Sequence, residues 1–163
     1  MNTEGQKSNY APNAPLHDAI ELGGGSNPQY HPNLDALCGD IICDLRRGIP
    51  LPNESAKKIY GRDFFEHLTF MEGLSLLFEC QRVLTKDGMI EFVIPDMAKA
   101  ISMHAEWNQH LSNIIFGTRI NVFEYHKMWY SPELMLYILC REGWRNIDKA
   151  SYPDGNEPKF IVK

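Results

Sequence analysis

Glu21-Leu22-Gly23-Gly24-Gly25-Ser26-Asn27-Pro28, followed by Asn33-Leu34-Asp35, is the stretch that decides the fold. A short run ends in an acid, a glycine-rich turn follows, and a second acid stands at the tip of the next strand. This is the layout of a nucleoside-binding α/β domain. Glycines there let backbone N–H groups approach a ligand with no Cβ in the way. The second acid stands where a ribose diol meets a bidentate acceptor. In the dinucleotide fingerprint a third glycine comes three residues after the second, and the ribose acid about 20 residues on. Here Pro28 occupies the third-glycine position, and Asp35 follows Gly23 after only about a dozen residues. A proline would also interrupt a helix start that cradles phosphate. A ligand with a ribose and no phosphate fits the spacing better.

The remaining composition narrows the class. With 163 residues the chain has the size of one ordinary domain. Hydrophobic content of 44% and charged content of 23% are those of a soluble globule. A net charge of -5 argues against nucleic acid as a partner, which would call for a basic patch. No apolar run approaches a membrane span and no signal peptide opens the chain, so neither membrane nor export is expected and the expected location is cytoplasmic. Cys38, Cys43, Cys80 and Cys140 show no CxxC spacing, and the histidines no HExxH pairing. Buried, reduced thiols and no metal site are the expectation.

Along the chain, residues 1–15 are polar and rich in Asn, and read as a flexible arm ahead of a domain spanning 16–163. Strands and helices then alternate, which implies a mostly parallel sheet with helices on its faces. Residues 17–22, 34–37, 41–44 and 57–60 read as the first four strands. Pro28 and Pro32 leave little room for a helix between the first two, so that crossover is expected to be reduced. Thr69 and Glu72 form a capping box, opening a helix with Phe70, Leu74, Leu77, Phe78, Val83 and Leu84 on its apolar face. Lys86-Asp87-Gly88 is a turn signal. Residues 89–95 are nearly continuously apolar and read as a strand buried on both faces. One or two helices are expected over 98–116 and an irregular segment over 117–130. Ser131-Pro132-Glu133 starts a last helix that Gly143 ends. Residues 144–151 and 158–162 read as two final strands.

Taken in order, these motifs resemble the S-adenosylmethionine-dependent methyltransferases of the Rossmann-like class. The resemblance is nearest to a small methyltransferase-domain subgroup often linked to surface-sugar biosynthesis. It rests on Glu21-Leu22-Gly23-Gly24-Gly25, Asn33-Leu34-Asp35, and Asp44-Leu45 leading to Ile49-Pro50-Leu51-Pro52. Ile59-Tyr60 through Phe65-Glu66-His67-Leu68, Arg82-Val83-Leu84 with Gly88, and Val93-Ile94-Pro95-Asp96 continue it. His126-Lys127-Met128-Trp129-Tyr130-Ser131-Pro132-Glu133-Leu134 resembles the subgroup's late motif.

The resemblance implies an α/β fold with a mostly parallel seven-stranded sheet, strand order 3-2-1-4-5-7-6, and an antiparallel last strand. It implies S-adenosylmethionine as cofactor and S-adenosylhomocysteine as product. Glu21 would support the glycine loop of Gly23, Gly24 and Gly25 and face the methionine amino end. Asp35 would hold the ribose hydroxyls, with Asp44 and Leu45 by the adenine. Arg62 and Asp63 would line the methionine side. Methyl transfer from a sulfonium needs alignment and exclusion of water more than a nucleophile. His126, Asp63 or His67 could act as the base for an acceptor hydroxyl. The implied acceptor is a small molecule or saccharide, and a homodimer is compatible with the resemblance. Three bland readings stand beside these roles: Asp44 as the N-cap of a turn into Leu45-Arg46-Arg47, His67 as a structural hydrogen bonder, and Phe64 and Phe65 as core. Asp63 stands where the subgroup has histidine, and Thr85-Lys86-Asp87-Gly88 replaces its Lys-Pro-Gly-Gly turn. The alternative function is therefore a catalytically inactive, methyltransferase-like binding or scaffold protein.

Overall fold

The computed structural model describes residues 15–103, 108–148 and 159–162. Strands β1 (Ile20–Leu22), β2 (Asn33–Asp35), β3 (Ile41–Ile42), β4 (Ala56–Arg62) and β5 (Leu84–Pro95) are parallel. They lie in the order β3-β2-β1-β4-β5-β6, and β6 (Lys159–Val162) runs antiparallel to β5. The described residues thus form six strands where seven were expected. Residues 144–148, expected to begin the penultimate strand, have no strand structure. The rest of that segment lies outside the described residues, as does all of the N-terminal arm but its last residue.

The first crossover is reduced, as expected, and takes the form of a compact loop: residues 23–32 contain bends and turns and no helix. A parallel connection normally needs a dozen or more residues with a helix to satisfy its backbone. Carboxylates do that work here. Glu21 Oε2 accepts from the N–H groups of Gln29 and Tyr30, at 2.5 and 2.7 Å. Asp40 Oδ2 accepts from Asn33 N–H at 2.7 Å, closing the still shorter link between β2 and β3.

Helix α1 (Phe70–Val83) opens with the expected capping box between Thr69 and Glu72. Its buried face is Gly73, Leu76, Leu77, Cys80 and Val83, whereas Phe70 and Phe78 are exposed. The stripe through Leu77 at helical spacing runs through these smaller residues, and Phe78 lies about 100° round from it. At Gly73 the missing Cβ lets Phe65 and Tyr130 approach the helix, at 3.1 and 3.2 Å from where it would stand. The turn signal at Lys86-Asp87-Gly88 does not separate helix from strand. β5 already starts at Leu84, and the signal appears as a bulge, with Ala56 opposite Leu84 and Lys58 opposite Met89. Helices α2 (Met97–Met103) and α3 (Gln109–Phe116) fill the expected window and form a small cluster of their own around Ala100, Leu111 and Ile115. Ser131 caps α4 (Pro132–Arg141), and Gly143 follows it with φ +89°.

Strand register sorts the sheet into two unlike faces. Ile20, Leu22, Leu34, Ile59, Ile90, Phe92 and Ile94 share one face and join Leu76, Leu77 and Cys80 of α1 and Met135, Ile138 and Leu139 of α4 in one core. Glu21, Lys58, Tyr60, Arg62, Met89, Glu91 and the buried Val93 occupy the other. The expectation that residues 89–95 are buried on both faces holds at Phe92, Val93 and Ile94 and is corrected at the start of the strand, where Met89 is 49% exposed and Glu91 is half-buried. On this second face Lys58 Nζ meets Glu91 at 3.1 Å and donates to the Tyr30 hydroxyl at 2.9 Å, while Tyr30 packs edge-on against Tyr60. The cysteines also depart from expectation. Cys80 is buried, but Cys38 and Cys140 are exposed; all four are free thiols. No helix among the described residues is long and apolar enough to cross a membrane.

Candidate functional site

Strand order reverses between β1 and β4, and a cleft of about 360 Å³ opens at the carboxyl ends of these strands. Gly23, Gly25, Asp35, Asp44, Asp63, Phe64 and His67 contribute to its wall. Gly23 has φ +69°, and a Cβ there would collide with the Phe64 ring, so glycine is required twice over. Gly25 also has positive φ, +59°, but its absent side chain faces open space. Gly24 points the other way, and a Cβ would press on Glu21 Oε1 and Asn33 Oδ1. Its N–H donates to Asn33 Oδ1 at 3.0 Å, and Asn33 Nδ2 donates to the Gly25 carbonyl at 2.9 Å. Of the loop, Gly23 and Gly25 therefore face the cleft, while Gly24 and the buried Glu21 hold it from beneath.

Asp35 lines the cleft and anchors it. Its carboxylate accepts from the N–H groups of Gly25 at 3.2 Å, Leu37 at 2.7 Å and Cys38 at 3.1 Å. Asp44 is the N-cap of a single 3-10 turn, Leu45–Arg47, and takes a two-pronged pair of hydrogen bonds from Arg46, both 2.7 Å. The Arg46 hydrogen bond holds its carboxyl below the usual aspartate range. The capping alternative for Asp44 is thus what the geometry contains, on a residue that also lines the cleft with Leu45. Arg62 is placed elsewhere: it is not among the lining residues, and it contacts Asp63 at 3.6 Å. Side-chain alternation puts Arg62 on the polar sheet face. The chain turns into the cleft only at Asp63, where φ is +50°.

Beyond Phe64 a second 3-10 turn, Phe65–His67, buries Phe65 and Glu66 and brings His67 to the cleft wall. His67 Nδ1 donates to the Tyr125 carbonyl at 3.2 Å, and His126 Nδ1 to the Ile114 carbonyl at 2.8 Å. The two rings meet edge to face, with centroids 4.8 Å apart. His126 does not line the cleft; it stands behind His67, with Nε2 4.0 Å from Glu66 Oε1. Burial pushes both imidazoles below the usual histidine value, and His67 adds to this at His126. Phe64 straddles core and cleft, while Phe65 is core.

The resemblance brought segment 123–127 to the acceptor side through Tyr125 and His126, but the residues of it that line the wall are others. Phe123, Glu124 and Lys127 come from an irregular segment with no periodicity to place it. Lys127 and Met128 N–H both donate to the Glu66 carbonyl, at 2.8 and 3.2 Å, and this contact fastens the segment beside the Phe65–His67 turn.

No family model matches the chain, and no curated protein matches it. Solved structures do match. A SAM-dependent methyltransferase from Archaeoglobus fulgidus aligns over 90% of this chain and 85% of its own, with a TM-score of 0.63 at 13% identity. One from Thermotoga maritima, described as a possible histamine N-methyltransferase, aligns over 91% and 82%, with a TM-score of 0.59 at 13% identity. DhpI in complex with SAH aligns over 90% and 75%, with a TM-score of 0.57, again at 13% identity. The fold is the Rossmann-like fold of the SAM-dependent methyltransferases. At these identities the likeness reaches no further than the fold.

Proposed function

We propose that the chain is an S-adenosylmethionine-dependent methyltransferase acting on a small-molecule or saccharide acceptor, of the small subgroup linked to surface-sugar biosynthesis. The observation that carries this reading is the meeting of Gly23, Gly25 and Asp35 at the wall of a cleft at the strand-order reversal. The structural neighbours include DhpI bound to SAM and to SAH. The donor set suits such a cofactor. Gly25 offers open space, Asp35 a carboxylate at the ribose position, and Asp44 with Leu45 a polar and an apolar wall for adenine. Four carboxylates, from Asp35, Asp44, Asp63 and Glu124, face two cationic side chains, Arg46 and Lys127, which favours a cationic sulfonium over a phosphate.

When bound, the cofactor supplies a methyl group already activated on sulfur. The chain's own residues orient it and handle a proton. Gly23 and Gly25 let the backbone approach, with Glu21 and Gly24 bracing the loop. Asp63 flanks the methionine end, and Arg62 acts on that end through its contact with Asp63. His67, uncharged and at the cleft wall, is the base for an acceptor hydroxyl, with Asp63 near it and His126 fixing its ring. The domain spans 16–163 with 1–15 as an arm, and the protein works in the cytoplasm on a soluble acceptor, with neither nucleic acid nor membrane as partner and a homodimer as its assembly.

Calorimetric titration with S-adenosylmethionine and S-adenosylhomocysteine tests the reading. Micromolar binding that weakens at least about tenfold in Asp35→Ala is expected. No heat and no shift in melting temperature at millimolar ligand would sink the proposal and leave an inactive scaffold.

A further inference from the structure

Glu66, His67 and His126 come together from two separate segments, and one potential ligand atom from each lies within 4.8 Å of the other two. We infer that these three residues form a binding site for a divalent transition-metal ion of the zinc class, placed at the acceptor side of the cleft.

The tautomers fit. Each histidine commits Nδ1–H to a backbone carbonyl, Tyr125 for His67 and Ile114 for His126, so its Nε2 lone pair is the one left to coordinate. Metal-bound histidines characteristically carry that second hydrogen bond, which fixes the ring and raises its basicity. Glu66 supplies a carboxylate that is only 2% exposed, and Oε1 lies 4.0 Å from His126 Nε2. Around a tetrahedral zinc, ligands about 2.1 Å from the metal stand about 3.4 Å apart. Ligand atoms no more than 4.8 Å apart thus need to draw together by only about 1 Å to reach that spacing.

The scaffold under the cluster is already rigid. The Glu66 carbonyl accepts from Lys127 and Met128, and His126 N–H donates to the Phe116 carbonyl at 3.2 Å. The ligands thus sit on backbone stitched together without the ion. Two imidazoles and one carboxylate select zinc-like ions over magnesium or calcium, which prefer oxygen. Three protein ligands leave a coordination position open, as in catalytic rather than structural sites. Because His67 belongs to both the cluster and the cleft wall, that position adjoins the acceptor space. An acceptor hydroxyl held there would be acidified by the ion, and His67 would then be a ligand instead of a base. The site stands independently of the sulfonium reading, since none of its ligands holds the cofactor.

The test is zinc binding by the whole, chelator-stripped protein, followed by competition with a chromogenic chelator, with cobalt(II) absorption as a second readout. One ion per chain at submicromolar affinity, a rise in melting temperature and a tetrahedral cobalt spectrum without thiolate bands are expected. Glu66→Gln and His126→Asn should each weaken binding at least about tenfold, whereas His31→Ala, an exposed histidine, should not. Three results would overturn the site: no saturable binding, binding retained in both variants, or a thiolate-to-cobalt charge-transfer band that moves the ion to the cysteines. If the variants fail to fold, the wild-type cobalt spectrum decides alone. The S-adenosylmethionine titration is a separate experiment, so either reading can fail without the other.

Discussion

The two faces of the central sheet are built from the same five parallel strands and held by different physics. On one face Ile20, Leu22, Ile59, Phe92 and Ile94 are almost fully buried under α1 and α4. On the other, charged and hydroxyl groups meet each other, and the loop after β1 stays in place because carboxylates accept its N–H groups. Parallel sheets normally bury both faces in apolar side chains. The first two crossovers contain no helix, so neither covers the second face there. Polar side chains then became affordable on the strands, and acids became necessary in the loops. The candidate cleft belongs to the carboxylate-held part, where backbone can approach a ligand because no helix stands in the way.

Truncation on the apolar face should have the largest effect. Phe92 is 1% exposed, packs on Phe65 with centroids 5.0 Å apart, and touches the space above Gly61. Phe92→Ala should cost about 4 kcal/mol in urea unfolding, as a cavity that rigid neighbours cannot fill. A cost below about 1.5 kcal/mol would mean that this face is no better packed than the other. On the polar side, Glu21→Gln keeps the volume but weakens the acceptor for Gln29 and Tyr30. A loss of about 2 kcal/mol is expected, with weaker S-adenosylhomocysteine binding in the same protein. Intact binding would show that the loop holds its shape without Glu21.

This contrast also explains what the sequence disclosed. The capping box at Thr69, the N-cap at Ser131 and the reduced first crossover are local facts, and they were legible, whereas the strand order around the glycine loop came with the family resemblance. Phe78 was misplaced because a helix with hydrophobic residues on several sides does not reveal which stripe meets the sheet. Met89 was misplaced because a nearly continuous apolar run reads the same for a strand covered on one face or two. The resemblance implied Arg62 at the cleft together with Asp63, although alternation sends consecutive side chains to opposite sides. The approach of His126 to Glu66 and His67 depends on the irregular segment 117–130, whose path no periodicity encodes.

A third prediction concerns a charged clasp that works like the loops on the polar side but belongs to α1. Glu79 accepts from Ile49 N–H at 3.0 Å and from Arg82, while Arg82 donates to the carbonyls of Ile49 and Leu51, both at 2.8 Å. The Arg82 hydrogen bond depresses the Glu79 carboxyl despite burial pushing it up. A depressed carboxyl stabilises the fold above its unfolded value, and this contribution fades as pH falls through the lower, folded one. Stability should therefore decline below about pH 4.5. Glu79→Gln should be less stable at pH 7 and lose less between pH 5 and pH 3, as followed by the urea midpoint. Parallel pH profiles for the two proteins would assign the acid sensitivity to other groups.

The smallest effect, and the sharpest for the comparison, is expected at Lys58. Its ammonium lies 3.1 Å from Glu91 and over the rings of Tyr30 and Tyr60, at 4.6 and 5.6 Å. Burial works against its charge, but the hydrogen bonds it donates to Tyr30 and Glu91 outweigh it and raise its pKa. The side chains of Lys58 and Glu91 are 20% and 18% exposed, open enough for water to replace a lost partner. Lys58→Met should then change unfolding free energy by less than about 1 kcal/mol, because solvent screens the pair and the methionine stem keeps most of the packing on Tyr30. A loss above about 3 kcal/mol would indicate a carboxylate stranded away from water, as happens when a buried pair is broken. The polar face would then be a second interior, closed over by another part of the chain or by a partner. A near-neutral result would instead leave the sheet with one interior, and make the acids of the loops, rather than this face, the element that keeps the cleft in shape.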